Sequence, residues 1–205
     1  MLTILAPTDF STNSRAGLRF ALQWSARQKL EIIFIHIFHV NRLSQWTDAN
    51  FNQQVAMETE DKVRRLQKFV QALLKSSNIK PAKYACVVKN GLSADIGIMD
   101  FCRNYKTIDF ICIATRGAGK LDKLLGTTTG NLTTQSPVPV ITVPKNYRAN
   151  PIKRILYATD FRNYAEELKK VIAFARPLGA KVKVLYLSRP NEVLPAGKTM
   201  KAQLA

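Results

Sequence analysis

The strongest constraint on this chain is a set of five short apolar, β-branched runs before residue 145, separated by stretches of helical spacing. The runs are Leu2–Ala6, Ile32–Ile37, Tyr84–Val88, Phe110–Ala114 and Val138–Val143. Most are nearly continuous in apolar character rather than alternating. Strands buried on both faces read this way. Between them, 14–27, 51–74, 93–103 and 127–135 repeat their apolar residues at helical spacing. The order β-α-β-α-β-α-β-α-β predicts an open parallel sheet with helices on both faces. Ser11, Thr12, Asn13 and Ser14 offer helix N-caps after the first strand, and Ser93 offers one after the third. Pro137 and Pro139 assign the fifth strand to a sheet edge, because proline cannot donate to an interior ladder.

The pattern then restarts. Ile4-Leu5-Ala6-Pro7-Thr8-Asp9-Phe10 reads against Ile155-Leu156-Tyr157-Ala158-Thr159-Asp160-Phe161. The next helix and strand align as well, Leu18 with Leu168 and Ile32–His36 with Val182–Tyr186. Two tandem units are expected: a complete one at 1–147, a linker at 148–151, and an incomplete repeat at 152–205. The 191–198 stretch reads as loop.

Composition excludes several classes. No apolar run reaches the roughly 18 residues of a membrane span, and the first residues lack the pattern of a signal peptide. Cys86, Cys102 and Cys112 are widely spaced and form no zinc pattern, so reduced core thiols in a cytoplasmic protein are expected. The net charge of +17 is spread over both units, with no aromatic-plus-basic motif, so specific nucleic-acid binding is the lesser reading. His36 and His39 stand three apart on one strand, a poor arrangement for a shared metal. No nucleophile with a base and an orienting group can be named, so no dedicated catalysis is expected.

In an open parallel sheet, ligands bind beyond the carboxyl ends of the strands, where the strand order reverses. Two such ends are chemically unusual: Pro7-Thr8-Asp9, and the Gly- and Thr-rich segment from Thr115 through Gly117, Gly119 and Lys120 to Gly126-Thr127-Thr128-Thr129-Gly130. Glycine lets a backbone approach an anion, and helix-start amides hold phosphate oxygens. Arg116 and Lys120 add charge, while a carboxylate such as Asp9 suits the sugar or the amine of a nucleotide. Neither a Walker A loop nor a dinucleotide GxGxxG fits, since Ala114, Leu121 and Asp122 occupy required positions.

Pro-Thr-Asp-Phe-Ser at 7–11, Ile-His-Ile at 35–37, and Thr-Arg-Gly with Leu-Leu-Gly-Thr-Thr-Thr and Pro-Val-Pro-Val-Ile-Thr-Val-Pro near the end resemble the universal stress protein family. The resemblance covers 1–145 and restarts at 152. It implies a five-stranded sheet of order 3-2-1-4-5 of the adenine nucleotide alpha hydrolase-like (HUP) type. It also implies ATP or another adenine nucleotide, with or without Mg2+. Residue by residue, Asp9 would meet the adenine or ribose and the backbone of Ile37 the adenine. Gly117, Gly126, Thr127 and Thr129 would surround the phosphates. The sequence departs from the Gly-x2-Gly-x9-Gly-Ser/Thr pattern of ATP-binding members twice: Ala114 holds the first glycine position, and eight residues separate Gly117 from Gly126. The alternative is a member that binds no nucleotide and serves as an interaction module. The resemblance also implies pairing through the edge strand, as a homodimer or with the second repeat.

Overall fold

The computed structural model describes residues 1–115, 126–148 and 150–186. The chain divides into two compact units, Met1–Asn150 and Pro151–Ala205. In the first, β1 (Leu2–Pro7), α1 (Arg15–Ser25), β2 (Leu30–Phe38), α2 (Asp48–Ser77), β3 (Lys83–Asn90), α3 (Ala94–Asn104), β4 (Phe110–Ala114), α4 (Thr127–Gln135) and β5 (Val140–Val143) alternate along the chain. The sheet has the order β3-β2-β1-β4-β5, and every neighbouring pair is parallel. The parallel direction is that expected from the residue pattern, and the order is that implied by the family resemblance.

The apolar strands divide their side chains between two cores. Leu5, Ile33, Ile35, Ile111 and Ile113 pack with Ile98, Met99, Phe101 and Cys102 of α3 and with Leu132 of α4. Ile4, Ile32 and Phe34 are fully buried too, as are Leu18 and Leu22 of α1 and Leu66 and Val70 of α2. Strand alternation places those three residues on the opposite face. Trp24 of α1 lies edge-on to Phe110, with ring centroids 5.3 Å apart. Burial on both faces explains why β1, β2 and β4 carry few polar positions, while the edge strand β3 is exposed at both ends and carries Lys83, Lys89 and Asn90 there.

The element ends differ from expectation where local chemistry decides them. Helix α2 starts earlier because the Thr47 hydroxyl accepts from the Asn50 amide at 3.2 Å, and it ends at Asn78 in the left-handed region, φ 52°. Strand β5 is shorter because the ladder there begins with the Pro139 carbonyl, which accepts from the Ile111 amide at 3.0 Å. It stands at the sheet edge, as its prolines require. Ser93 caps α3 as expected. Ser14 occupies the N-cap position of α1 but makes no side-chain cap bond. Its hydroxyl donates to the Ser11 carbonyl instead.

In the second unit, β6 (Arg154–Thr159), α5 (Tyr164–Leu178) and β7 (Lys181–Tyr186) form a parallel two-stranded unit with its crossover helix. The turn after β6 has the geometry of the turn after β1. Phe10 and Phe161 both sit in the left-handed region, at φ 64° and 62°. Their amides donate to Thr8 Oγ1 and Thr159 Oγ1, each at 3.0 Å. Asp9 and Asp160 each accept from the amide two residues on, Ser11 at 2.9 Å and Arg162 at 3.0 Å. The 191–198 stretch lies outside the described residues.

Candidate functional site

Five elements of the first unit, β1, β2, β4, α3 and α4, meet at the carboxyl edge of its sheet. Strands β1 and β4 are adjacent, and their connections leave to opposite faces, which opens a crevice between them. A cleft of about 740 Å³, counted with its open mouth, lies there. Its floor is apolar, made by Ile35, Ile37, Ile98 and Ile113. Its rim is polar, made by Asp9, Ser11 and Asn13 on one side and by Gly126, Thr127 and Thr128 on the other.

The first wall is the turn after β1. Thr8 is buried and continues the ladder, its amide donating to the Ile35 carbonyl at 2.9 Å. Its hydroxyl bonds to that of Ser14 at 2.8 Å and accepts from the Phe10 amide. These bonds hold Phe10 in a backbone region that aromatic residues avoid. The Phe10 ring lies against His36, 4.2 Å between centroids, and the Arg65 guanidinium covers it at 4.5 Å. Asp9 is exposed at the rim and accepts from Ser11. Burial alone would raise its carboxyl pKa, but hydrogen bonds from Ser11 and Ser14 outweigh that and hold it below the ordinary value. Asp9 caps this turn rather than helix α1.

The opposite wall is the start of α4. Gly126 is its N-cap residue, extended at φ −64°, and the Gly130 amide bonds back to the Gly126 carbonyl at 2.8 Å. The amides of Thr127, Thr128 and Thr129 belong to the first turn, where no helical carbonyl precedes them. No acidic residue stands in this turn, so the positive end of the helix dipole is unopposed by its own side chains. Thr129 is buried, and its hydroxyl donates to the Ala114 carbonyl at 3.3 Å.

Helix α3 closes the third side with Ala94 and Ile98. Asp95 holds it to α4, accepting from Ser93 and from the Asn131 side chain, each at 2.5 Å. Those two bonds lower its pKa. Gly97 and Gly91 leave room for the Ile37 side chain: a Cβ on Gly97 would stand 2.8 Å from Ile37 Cγ2, and one on Gly91 3.2 Å from it.

Asp9, Ile37, Gly126, Thr127 and Thr129, expected from the sequence to share a site, all line this one cleft. Gly117 lies outside the described residues, as do Gly119, Arg116 and Lys120. Thr129 contributes its position, with its hydroxyl committed to Ala114. Sequence reading missed Ile98 and Ile113 as the apolar floor, and missed Ser14 as a site residue. Alternation from Ile111 along β4 and helical spacing from Phe101 mark Ile113 and Ile98 as inward-facing, and nothing in the sequence separates a floor position from a core one. Nothing local distinguishes Ser14 from a cap. His36 and His39 are separated in their bonding: their Nδ1 atoms reach the Thr8 and Gly91 carbonyls. Among the described residues, no group of three or more His, Cys, Asp or Glu is placed to hold a metal.

Comparison with known proteins agrees with this architecture. The model of the universal stress protein family matches residues 1–144. No curated protein matches the sequence. Among solved structures, a universal stress protein from Archaeoglobus fulgidus DSM 4304 is 22% identical, with 92% of this chain and 68% of that chain covered and a TM-score of 0.65. The universal stress protein UspA from Lactobacillus plantarum is 19% identical, with 69% and 97% covered and a TM-score of 0.51. A universal stress protein in complex with cAMP is 15% identical, with 69% and 96% covered and a TM-score of 0.50. The structural matches establish the shared fold, and with the family model spanning the whole first sheet, this chain belongs to the universal stress protein family.

Proposed function

We propose that the first unit binds ATP or a related adenine nucleotide in the crevice between β1 and β4, as a regulator without dedicated catalysis. One observation carries the reading. An apolar floor of four isoleucines lies between the Asp9 carboxylate and the start of α4. Flat apolar surface suits a base, a carboxylate suits ribose hydroxyls, and helix-start amides suit phosphate. The cAMP complex of a protein with this fold supports the same chemistry. Asp9, Ile37, Gly126 and Thr127 would make the contacts, with Mg2+ as an optional companion of the phosphates. Among the described residues no second carboxylate lines the cleft beside Asp9, which favours binding over metal-assisted hydrolysis.

We further infer that 152–205 belongs to a second repeat of the same unit. The recurrent turn supports this, and so does the Archaeoglobus match, which covers more of the chain than residues 1–144. The β5 edge offers a pairing surface for a second copy or a second repeat. A cytoplasmic location is part of the same reading. Among the described residues, no helix is long and apolar enough to cross a membrane.

Acid extraction of the purified chain followed by assay for adenine nucleotide, then calorimetric titration with ATP and cAMP, tests the binding. Bound nucleotide or saturable heat supports it. No carried nucleotide and no heat at millimolar ligand favours the interaction-module reading. Gly126→Val is expected to abolish binding by blocking phosphate approach, since its extended backbone accepts valine without strain. Lys75→Ala, exposed at the far end of α2, is expected to leave binding unchanged.

A further inference from the structure

The β1–β2 ladder ends in an unusual way. The last register pair is Pro7 with Ile35, and the Thr8 amide then donates to the Ile35 carbonyl at 2.9 Å. In a parallel ladder the next bond would run from the Ile37 amide to the Thr8 carbonyl. The His36 side chain takes that place. Its Nδ1 lies 2.8 Å from the Thr8 oxygen, and because a carbonyl only accepts, Nδ1 carries the proton. The Phe10 ring packs against the imidazole, 4.2 Å between centroids, and against Phe69 of α2. Alternation along β2 turns the Ile37 amide to the same side as the Ile35 carbonyl, where β1 has already ended. Ile37 lines the cleft there.

We infer that His36 is a positioning residue: by supplying the donor for the Thr8 carbonyl, it ends the ladder one bond early and keeps the Ile37 backbone amide available to a ligand in the cleft. The inference rests on the nucleotide reading for the identity of that ligand, but not for the hydrogen-bond substitution. Asn places a side-chain N–H where His has Nδ1, whereas Gln places it where His has Nε2, and Leu has none. His36→Asn is therefore the rescuing variant, and His36→Gln and His36→Leu are the losing ones.

Amide hydrogen exchange by NMR on the full chain, without nucleotide, reads the inference directly. The Ile37 amide is expected to exchange quickly in the parent and in His36→Asn. In His36→Leu and His36→Gln it gains protection of about tenfold as it closes onto Thr8. Nucleotide affinity is expected to fall in parallel by roughly three- to tenfold in the two losing variants and to recover in His36→Asn. An Ile37 amide already protected in the parent, or unchanged in both losing variants, overturns the inference. If the parent binds no nucleotide, the nucleotide reading fails, while the exchange data still decide the role of His36. If His36→Leu does not fold, the Asn and Gln pair carries the comparison alone.

Discussion

The Thr129 hydroxyl donates to the Ala114 carbonyl at 3.3 Å, tying the first turn of α4 to the last residue of β4. Both groups are buried, so water does not replace the bond. Thr129→Val keeps the shape and removes the donor. A loss of about 1–2 kcal/mol is expected in urea unfolding. Nucleotide affinity is expected to fall as well, because the α4 start loses its anchor. Full stability in Thr129→Val would show that the anchor lies elsewhere.

Gly17 lets α1 rest directly on β4. A Cβ there would stand 2.9 Å from the Ala114 nitrogen and 3.1 Å from the Cys112 oxygen, all rigid backbone. The Cys112 thiol already reaches the Gly17 carbonyl at 3.2 Å. Helix propensity favours alanine by about 1 kcal/mol. Overpacking against backbone costs about 1–3 kcal/mol and has no flexible group to absorb it. Gly17→Ala is thus expected to lower the urea midpoint, opposite in sign to propensity.

Gly97→Ala differs because its clash is with a side chain. The new Cβ would meet Ile37 Cγ2 at 2.8 Å and Cδ1 at 3.1 Å. Ile37 has to shift at χ1, which is stiff in a β-branched residue, and that cost offsets the roughly 1 kcal/mol that the helix gains from alanine. The expected result is nearly unchanged stability with weakened nucleotide binding. A titration matching the parent would show that Ile37 does not shape the floor.

The pH dependence has two windows of the same sign. Burial lowers the His36 pKa below 6.5; the Thr8 carbonyl and Asp9 oppose the shift, and Lys62 and Arg65 reinforce it. Below that value the unfolded chain binds the proton more readily, so stability falls as the solution is acidified. Asp9 and Asp95 are lowered from 3.8, so their contribution is full above that value and is lost as pH falls through their folded pKa values. Thermal melting from pH 8 to pH 3 should therefore decline in two steps. His36→Asn is expected to flatten the upper step and Asp95→Asn to reduce the lower. A single step untouched by either variant would contradict this assignment.

Burial raises the pKa of all three thiols, Cys86 and Cys102 to about 11 and Cys112 further still. An aromatic disulfide reagent at pH 8 is expected to label none in the folded chain and all three after denaturation. Rapid labelling of Cys86 in the folded chain would count against this burial.

Much of the fold is legible because strands buried on both faces leave an unbroken apolar record, as in Ile32–Ile35. The cleft is half legible. Asp9 and Gly126 stand out by residue type at strand and helix ends. Ile98 and Ile113 do not, since a floor isoleucine and a core isoleucine look alike in sequence. His36 reads as an ordinary strand residue, and its role depends on where β1 stops relative to β2, a matter of register. Ser14 shows the same limit: its hydroxyl bonds to Thr8 and to the Ser11 carbonyl and so serves the turn rather than the helix.

The recurrent Thr-Asp-Phe turn gives the chain an internal control. At Asp9 the turn faces the start of α4; among the described residues of the second unit no helix start stands opposite Asp160. The same bonds and the same left-handed phenylalanine form in both places. These three residues therefore encode a backbone shape by themselves, whatever stands opposite them. Exchanging the two tripeptides is therefore expected to leave both turns, and the cleft beside the first, in place.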